Sequence, residues 1–585
     1  MPGIAGHISF EGAANRGVVE SMLTAMTTPL DMSQHVYSDG VAAMGGLRRT
    51  LGAEPLAERS DAVVAADATL YEDKEDGALA VADCFSRRGK HTLRHLRGDF
   101  AAAVWQPARR RLVCLRDQIG VRALFYASLP TGFYFCSNLQ VLADHLPPSA
   151  LALDRQYLFD WLIRGTRDWP RTPYGHVRRV VRGNLVIVTT AGITTESYWS
   201  PETLDPLPRS TIDEYAGELR RLLTESVHRR IAQVRGPIAI ALSGGQDSSG
   251  IAAIAASVRR DAGTALVAVS GVFDRWHTAD EREYARALCR HCGIRLEEVV
   301  SDHLLPFRAF PLGASRTGEP DSLVSQWWTR ACAKRAKVLG ATVMIGRDGG
   351  DSLFGGHHLY LGDLLRRGRL GSFCRQTLKV SRATKMSLGD AVRHFVLTSL
   401  TARRAFATYN EVPEWVDERK LLASGWSCAR LPQFAGTAYD RCNWEGLWRF
   451  SVSHPAQFIY EPVGIEKRSP IWDLKIMEFC MRLPWWAKLD GADYKPVYCR
   501  AIAGLVPPAI LRRDITNHSE FLLNGARRYW HLVERVVRKR RLADLGLVNE
   551  RYYHRLAQYR HGMIWGQGAL LNALGLEAWL EARDY

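Results

Sequence analysis

The sequence lacks the features that would place the chain in a membrane or in the secretory pathway. No apolar run reaches the length that spans a bilayer, and residues 1–7 lack the basic segment and long apolar core of a secretion signal. Its 11 cysteines are thinly spread. The one close pair, Cys289 and Cys292, has no second pair at zinc-site spacing, so reduced cysteines on a helix are expected. These absences favour a cytoplasmic protein without a membrane span.

Basic residues outnumber acidic ones, but they do not follow the pattern of a nucleic-acid binder. The formal net charge is +16, which favours an acidic partner. Short basic clusters occur at 108–111, 366–369 and 538–541, without the alternation of basic and aromatic residues that nucleic-acid binders show. We therefore expect solvated basic surfaces and no nucleic-acid partner.

The chain of 585 residues is too long for a single core, which predicts two or more domains. Short apolar runs separated by turn residues predict strands at 101–105, 111–115, 132–136 and 184–188, and hence a sheet-rich first domain. Prolines at 201, 206 and 208 indicate a linker. The predicted organisation is a first domain over 1–200, a linker over 201–209 and a second domain over 210–585.

The second domain has the pattern of a doubly wound α/β fold. Continuous apolar runs at 237–242, 265–269 and 341–345 are typical of strands buried on both faces of a parallel sheet. Helical stretches lie between them, and such alternation predicts a parallel sheet covered by helices. From about residue 361 onward the pattern is mainly helical.

The segment from Ser243 to Ser249 reads Ser-Gly-Gly-Gln-Asp-Ser-Ser and joins the first buried run to a helix predicted over 248–259. Free N–H groups and the dipole at a helix start favour a phosphate, and glycines permit its close approach. Asp247 would repel a phosphate unless a cation lay between them, which implies Mg²⁺. A Gly-rich turn without a ligand is the alternative. The predicted ATP-binding residues are Leu242, Ser243, Gly244, Gly245, Asp247, Ser248, Ser249 and Gly346.

A second glycine- and aspartate-rich string, residues 346–356, also follows a buried run. Ligands of open α/β sheets bind beyond the carboxyl ends of the strands, so both loops are expected at the same edge. Asp247 and Asp351 would then share Mg²⁺. The alternative is that both acidic residues cap helices.

The first loop resembles that of the ATP-pyrophosphatases, and the two strings together resemble the asparagine synthetase superfamily. Residues 96–126 resemble its N-terminal glutaminase-like (Ntn-type) domain, and residues 280–285, 319–320, 466–470 and 493–500 resemble landmarks of its synthetase domain. The resemblance implies carboxylate activation by ATP with release of pyrophosphate. It also implies that Lys495 is catalytic, although an ordinary ion pair with Asp493 is the simpler interpretation of spacing alone.

The departures from this family indicate that glutamine is not the amine donor. Glutamine-using members have a cysteine after the initiator Met where this chain has Pro2, and an Asn-Gly-Glu string where it has Asp67-Ala68-Thr69. We therefore expect the first domain to be an inactive glutaminase. Near the C-terminal end, residues 513–521 lack the lysine and glycine of the family pattern Arg-x-Lys-x-Gly-Phe, which predicts an altered acceptor pocket.

Within the superfamily, the chain most resembles the lasso peptide cyclases. Their second loop commonly reads Gly-Asp-Gly-Gly-Asp, close to Arg347–Asp351, whereas β-lactam synthetases usually carry tyrosine at the position of Asp348. The resemblance implies that a core peptide's N-terminal amine closes on its own Asp or Glu side chain, with Asp348 taking or orienting the amine proton. A leader peptidase and a leader-binding protein are possible partners. The alternatives are an ammonia-dependent asparagine synthetase, a β-lactam-synthetase-like amide ligase, and a non-catalytic nucleotide-binding scaffold.

A cleft between the domains could shape such a peptide. The candidate lining residues are the tryptophans at 327, 328, 444, 448, 485 and 486, although core packing is the simpler interpretation of each.

Overall fold

The computed structural model describes most of the chain. The described residues are 3–9, 11–27, 32–49, 54–71, 77–88, 90–165, 168–200, 205, 207–232, 234–259, 265–311, 318–322, 326–400, 412–426, 437–449, 452–453, 456–513, 519–560 and 568–585. Pro2, residues 201–204 and 206 of the predicted linker, and residues 514–518 of the altered C-terminal motif lie outside them, as does the side chain of Trp448.

The first domain contains two six-stranded antiparallel sheets, and all four strands predicted for it are present. Their orders are β10-β8-β9-β1-β3-β2 and β12-β11-β7-β6-β5-β4. The strands are β1 (Ile4–Ile8), β2 (Met32–Ser38), β3 (Ala42–Arg49), β4 (Leu56–Glu58), β5 (Val63–Leu70), β6 (Gly98–Gln106), β7 (Arg111–Arg116), β8 (Phe125–Leu129), β9 (Gly132–Cys136), β10 (Val177–Arg179), β11 (Asn184–Thr189) and β12 (Gly192–Ser197).

Alternating side chains of the two sheets form a core between them, with Phe133 and Phe135 of one sheet in the same cluster as Trp105 and Cys114 of the other. Helices cover the outer faces. They are Arg16–Met26, Gly77–Arg88, Lys90–Leu93, Leu139–Asp144 and Arg155–Arg164, with short 3₁₀ turns at Pro107–Arg109 and Pro148–Leu151. This helix–sheet–sheet–helix layering confirms the sheet-rich, Ntn-type prediction.

The second domain is built on a five-stranded parallel sheet with the order β15-β14-β13-β16-β17. Its strands are β13 (Ile238–Ala241), β14 (Leu266–Val272), β15 (Arg295–Val300), β16 (Val343–Ile345) and β17 (Glu466–Arg468). Residues 238–240 are at most 1% exposed, as expected of a central strand covered on both faces. The three predicted strands are therefore confirmed.

Helices cover both faces of this sheet and are the main secondary structure among the described residues after 361, as predicted. None of the described helices is long and apolar enough to cross a membrane. The helices are Ile212–Ile231, Gln246–Arg259, Arg282–Cys292, Gln326–Val338, Gly350–Phe354, Tyr360–Arg366, Leu370–Thr384, Leu388–Ala391, Thr398–Leu400, Glu418–Ala423, Ala438–Arg449, Leu474–Met481, Trp485–Lys488, Pro496–Ile502, Pro508–Leu511, Ser519–Val537, Arg541–Asp544, Arg551–Arg560 and Gly568–Glu581, with short turns at Val392–Leu397, Ala456–Tyr460 and Glu461–Val463 and a hairpin of β18 (Leu489–Asp490) and β19 (Asp493–Tyr494).

The helix Gly568–Glu581 packs against the first domain. Leu574 and Trp579 are at most 1% exposed and share a core with the helix Arg155–Arg164. The indole Nε1 of Trp161 donates to the carbonyl oxygen of Asn572 at 2.7 Å. The two domains therefore share one continuous core on this side of the molecule.

Candidate active site

The first loop joins β13 to its helix in a tight, self-braced turn. The helix begins at Gln246, two residues before the predicted start, so Asp247 lies in its first turn. Gly244 has a φ of +84°, and a Cβ there would lie 2.9 Å from the carbonyl oxygen of Glu281, so only glycine fits without strain. The hydroxyls of Ser243 and Ser248 lie 3.1 Å apart, and the Gly245 N–H donates to Ser243 Oγ at 3.2 Å. The loop is thus held in shape by its own side chains.

The second loop follows β16 and packs directly against the first. Gly349 has a φ of +97°, and a Cβ there would lie 2.6 Å from Cε2 of Trp472. The short helix Gly350–Phe354 begins next, and a Cβ on Gly350 would collide with the carboxylate of Asp247. The two loops therefore meet at the carboxyl edge of the sheet through glycine backbone, which brings Asp247 and Asp351 to one place.

Lys495 lies between these two aspartates. Its Nζ is 2.8 and 2.7 Å from the two carboxylate oxygens of Asp247 and 2.7 Å from Oδ1 of Asp351. Its backbone has a φ of +58°, which non-glycine residues seldom adopt outside sites where the surroundings impose it. The side chain is 4% exposed whereas that of Asp351 is 81% exposed, so a buried ammonium faces an open carboxylate. No ion pair between Lys495 and Asp493 is formed, which removes the simpler interpretation.

The electrostatics around Asp247 favour binding of a cation. Burial raises the pKa of Asp247, and the neighbouring ammonium of Lys495 works against that rise. The hydroxyl of Tyr498 donates to the Asp247 carbonyl oxygen at 3.1 Å, and its ring stacks on Phe354 at 4.2 Å. The carboxylate is therefore buried and is compensated by the charges of Lys495 and Arg347.

Magnesium is compatible with this arrangement, although the described residues contain no group of three or more metal-ligating side chains. Mg²⁺ is usually held by one or two carboxylates together with water and substrate phosphates. The carboxylates of Asp247 and Asp351 both contact the ammonium of Lys495. The side chain of Asp351 is exposed, so it is open to a phosphate-bound ion. These two residues would hold the ion. Their assignment to Mg²⁺, like that of the first loop to ATP, remains a prediction.

Asp348 lies in the same loop but belongs to a separate cluster. Its Oδ2 forms an ion pair with Nζ of Lys467 and accepts from the Ser469 hydroxyl at 3.2 Å. Desolvation alone would raise the pKa of Asp348, but Lys467, Arg347 and the Ser469 hydroxyl hold it below its ordinary value. The side chain is still 48% exposed. Asp348 is therefore an accessible anion with a weak tendency to take a proton.

Sequence reasoning did not assign a role to Lys467, Ser469, Gly350 or Tyr498. Lys467 and Ser469 belong to a string that was noted only for its family resemblance. Ser469 follows a strand at the same carboxyl edge, but the three residues of that strand are all charged, so no apolar run signals it. Gly350 and Tyr498 act through close packing, which no local sequence pattern reveals.

Most of the candidate tryptophans pack in cores. Trp444 is 7% exposed in the main core of the second domain, Trp485 stacks on Tyr360 at 4.1 Å, and Trp486 lies 5.9 Å from the ring of Tyr215. Trp328 packs at 5.2 Å against Phe521, the last residue of the altered C-terminal motif. The simpler interpretation, core packing, therefore fits these four.

Asp67 of the Asp67–Thr69 segment forms a buried ion pair in the first domain. Asp67 is 4% exposed, and its Oδ1 lies 3.5 Å from Nε of Arg122. Nη2 of Arg122 also donates to the hydroxyl of Thr69 at 3.0 Å. Burial raises the pKa of Asp67 to about 6, although Arg122 works against this.

Two family models identify the chain as an ATP-dependent, amide-forming ligase that carries an amidotransferase-like domain. Residues 218–581 match the asparagine synthase family, and residues 71–199 match the glutamine amidotransferase domain. The chain belongs to the asparagine synthase family.

Two of its distant relatives extend over most of the chain, and a third matches a shorter part. It is 24% identical to amidase chyE of Penicillium rubens, over 83% of this chain and 80% of that protein. It is 26% identical to a putative glutamine-hydrolysing asparagine synthetase of Mycobacterium tuberculosis, over 76% of this chain and 70% of that protein. Asparagine synthetase 3 of Bacillus subtilis is 30% identical over 28% of this chain and 26% of its own length.

Proposed function

We propose that this ligase forms a macrolactam within a peptide, as the lasso peptide cyclases do. The observation that carries the proposal is the pair Asp67–Arg122. In glutamine-using relatives an Asn-Gly-Glu string holds the substrate at this position; here Asp67 and Thr69 are both bound to Arg122, whose side chain is 3% exposed. Because Arg122 engages both Asp67 and Thr69, we expect these residues not to hold glutamine. The amine must then come from elsewhere, and the peptide's own N-terminus is the donor that the second loop favours.

Lys495 has the position and charge to stabilise the transition states. When bound, ATP would supply the adenylyl group that makes the carboxyl carbon electrophilic, and Asp247 and Asp351 would hold a Mg²⁺ able to neutralise charge on pyrophosphate. Lys495 presents a fixed ammonium between Asp247 and Asp351. A preorganised cation in a water-excluded site acts on developing negative charge without having to reorganise, and this gives it a large effect.

Asp348 is better suited to orient the amine than to deprotonate it. Among the described residues, both donors to its carboxylate reach Oδ2, so Oδ1 can accept a hydrogen bond from the attacking amine. A strong base is not required, because a peptide α-amine has a pKa of about 8 and is partly neutral near pH 7. Alignment of the amine with its own side-chain carboxyl supplies the larger gain, since intramolecular reactions benefit strongly from orientation.

The direct test is mass spectrometry of a leader-free peptide, taken from the reading frame beside the gene, incubated with the purified chain, ATP and Mg²⁺. The proposal predicts ATP-dependent loss of one water and loss of the free N-terminal amine. Asp351→Asn should abolish this product. Asp493→Asn, at an exposed residue two positions before Lys495, is the matched control and should retain it. A peptide that stays linear under all these conditions would refute the proposal.

An ammonia-dependent amide synthetase acting on a small carboxylate is the second candidate. It is favoured by the names of the relatives from Mycobacterium and Bacillus, which are asparagine synthetases. Incubation with aspartate, ATP and ammonium separates the two functions. Efficient formation of asparagine would support the second candidate and exclude the first.

A further inference from the structure

The guanidinium of Arg122 connects the two domains. It bridges Asp67 and Thr69 on β5 of the first domain, and its Nη2 lies 3.5 Å from Oε1 of Glu466 on β17 of the second. The Arg122 side chain is 3% exposed, that of Asp67 5% and that of Glu466 8%. Because a guanidinium stays charged at any working pH, two buried carboxylates of different domains can face one another across it.

β17 is a part of the second domain that needs such support. It has only three residues and is the edge strand of the parallel sheet. Backbone bonds attach it to the rest of the sheet, among them those from Glu466 N to Thr342 O and from Gly346 N to Arg468 O, both 2.8 Å long. Short edge strands open locally more readily than central ones.

The alternation of side chains along β17 links the domain interface to the site. Glu466 and Arg468 are on one face, where Nε of Arg468 donates to Oε1 of Glu466 at 3.0 Å. Lys467 is on the other face, paired with Asp348, and successive residues of a strand point to opposite sides. Whatever fixes Glu466 and Arg468 therefore also fixes Lys467.

A second buried arginine supports the same face of the interface. Nη1 of Arg468 donates to the carbonyl oxygen of Arg230 at 2.7 Å. The guanidinium of Arg230 lies 3.8 Å from Asp99 and 4.3 Å from the ring centre of Tyr71, both in the first domain. The hydroxyl of Tyr71 donates to Asp99 at 2.6 Å. The interface is thus a connected polar network, in which Arg122 joins the first domain directly to β17.

We propose that Arg122 is a positioning residue: by joining Asp67 to Glu466 it holds β17 in place and so fixes the Lys467–Asp348 pair at the synthetase site. The amidotransferase-like domain then serves as a rigid support for that site, and the residues that replaced the glutamine-holding string provide the attachment. This goes beyond the proposed function and holds whichever amine the enzyme uses.

The test measures how well Lys467 is protected, and it needs no substrate. The folded chain is pulsed with acetic anhydride, denatured, fully acetylated with an isotope-labelled reagent and analysed by mass spectrometry. Lys488, a lysine of the same domain that is 1% exposed, is the internal reference. In Arg122→Met we expect Lys467 to be acetylated about fivefold faster or more, because its strand opens locally, while Lys488 changes little.

Three further variants make the result specific. Glu466→Gln removes the charge while keeping the shape and should reproduce the effect. Arg122→Lys keeps one cation and should restore part of the protection. Arg182→Met removes another buried arginine, whose Nε lies 2.8 Å from Asp168 within the first domain, and should leave Lys467 protected.

Unchanged labelling of Lys467 in Arg122→Met, or an equal rise at Lys467 and Lys488, would overturn the proposal. So would the same selective rise in Arg182→Met. If Arg122→Met does not fold, Glu466→Gln decides the question by the same two criteria.

Discussion

The ammonium of Lys495 contacts both oxygens of Asp247, a residue 248 positions earlier in the chain, at 2.7 and 2.8 Å. The contact joins the helix after β13 to the residue that precedes the helix Pro496–Ile502, and the exposed carboxylate of Asp351 contacts the same ammonium. One cation and two anions therefore meet at the edge of the sheet. Their arrangement leads to the first prediction.

Lys495→Met should lower turnover on the order of 10²-fold or more, because it removes a preorganised cation from a water-excluded site. Pyrophosphate release in the presence of the peptide gives the turnover, and titration calorimetry gives the affinity for MgATP, which should change less. Lys379→Met is the matched control, since Lys379 pairs with Asp490 at 3.1 Å on the surface. Wild-type turnover in Lys495→Met would contradict the role of this residue.

Gly350→Ala should impair binding of MgATP and lower thermal stability, because the new methyl group would collide with the carboxylate of Asp247. Overpacking of this kind costs about 1–3 kcal/mol. The control is Gly371→Ala, also near the start of a helix but with no atom within 4 Å of its added Cβ. Calorimetric titration and thermal unfolding of both variants check the prediction, and equal behaviour of the two would refute it.

Asp348→Asn should lower turnover by on the order of 10²-fold through loss of alignment. Since the pKa of Asp348 lies below its ordinary value, its carboxylate is ionised throughout the neutral range. The pH dependence should therefore keep its shape and follow the peptide amine, with a pKa of about 8. Turnover measured across the neutral range decides this. If the turnover of the variant no longer fell toward low pH, Asp348 would instead be the general base.

Two glutamates on the helix Gly568–Glu581 should affect stability with opposite signs. Burial raises the pKa of Glu577 from 4.5 to about 8. The contribution of Glu577 to the free energy of unfolding is therefore fully present below the pKa that this group has in the unfolded chain, and it is lost as pH rises toward 8. Each pKa unit corresponds to about 1.4 kcal/mol of that free energy. Glu577→Gln should raise the melting temperature near pH 8, and the melting temperature of this variant should fall less steeply as pH rises.

Glu581, four residues further on, should show the reverse. Burial acts against its ionisation, but Lys539 and Arg541 hold the pKa of Glu581 below its ordinary value. Its stabilisation is present above the unfolded pKa and is lost as pH falls. Glu581→Gln should therefore lower the melting temperature at neutral pH. Melting curves of the two variants across pH test both signs, and a shift in the same direction would contradict the assignment.

The buried strands and both loops could be predicted from the sequence because their signals are local. Apolar runs such as 237–242 predict central strands of a parallel sheet, and loops after such strands must share its carboxyl edge. β17 could not be found in this way. Its residues Glu466, Lys467 and Arg468 are all charged, and a strand of this composition is buried only because each charge has a partner elsewhere in the fold.

The ion-pair partners of charged residues likewise could not be predicted from the local sequence. Spacing alone favoured Asp493 as the partner of Lys495, two residues away, yet the fold supplies Asp247 and Asp351 instead. Only the family resemblance pointed to this lysine. The pairing of Asp348 with Lys467 had no signal, since it depends on β17 docking beside β16.

The docking of the helix Gly568–Glu581 on the first domain bears on how the protein is made. Trp161 and Asn572 share a hydrogen bond across 411 positions, and the core around Trp161 includes Leu574 and Trp579. While the ribosome is still translating the second domain, the nascent first domain lacks a wall of its core and exposes an apolar surface. This side of the first-domain core is therefore complete only when the helix Gly568–Glu581 has been made and has docked.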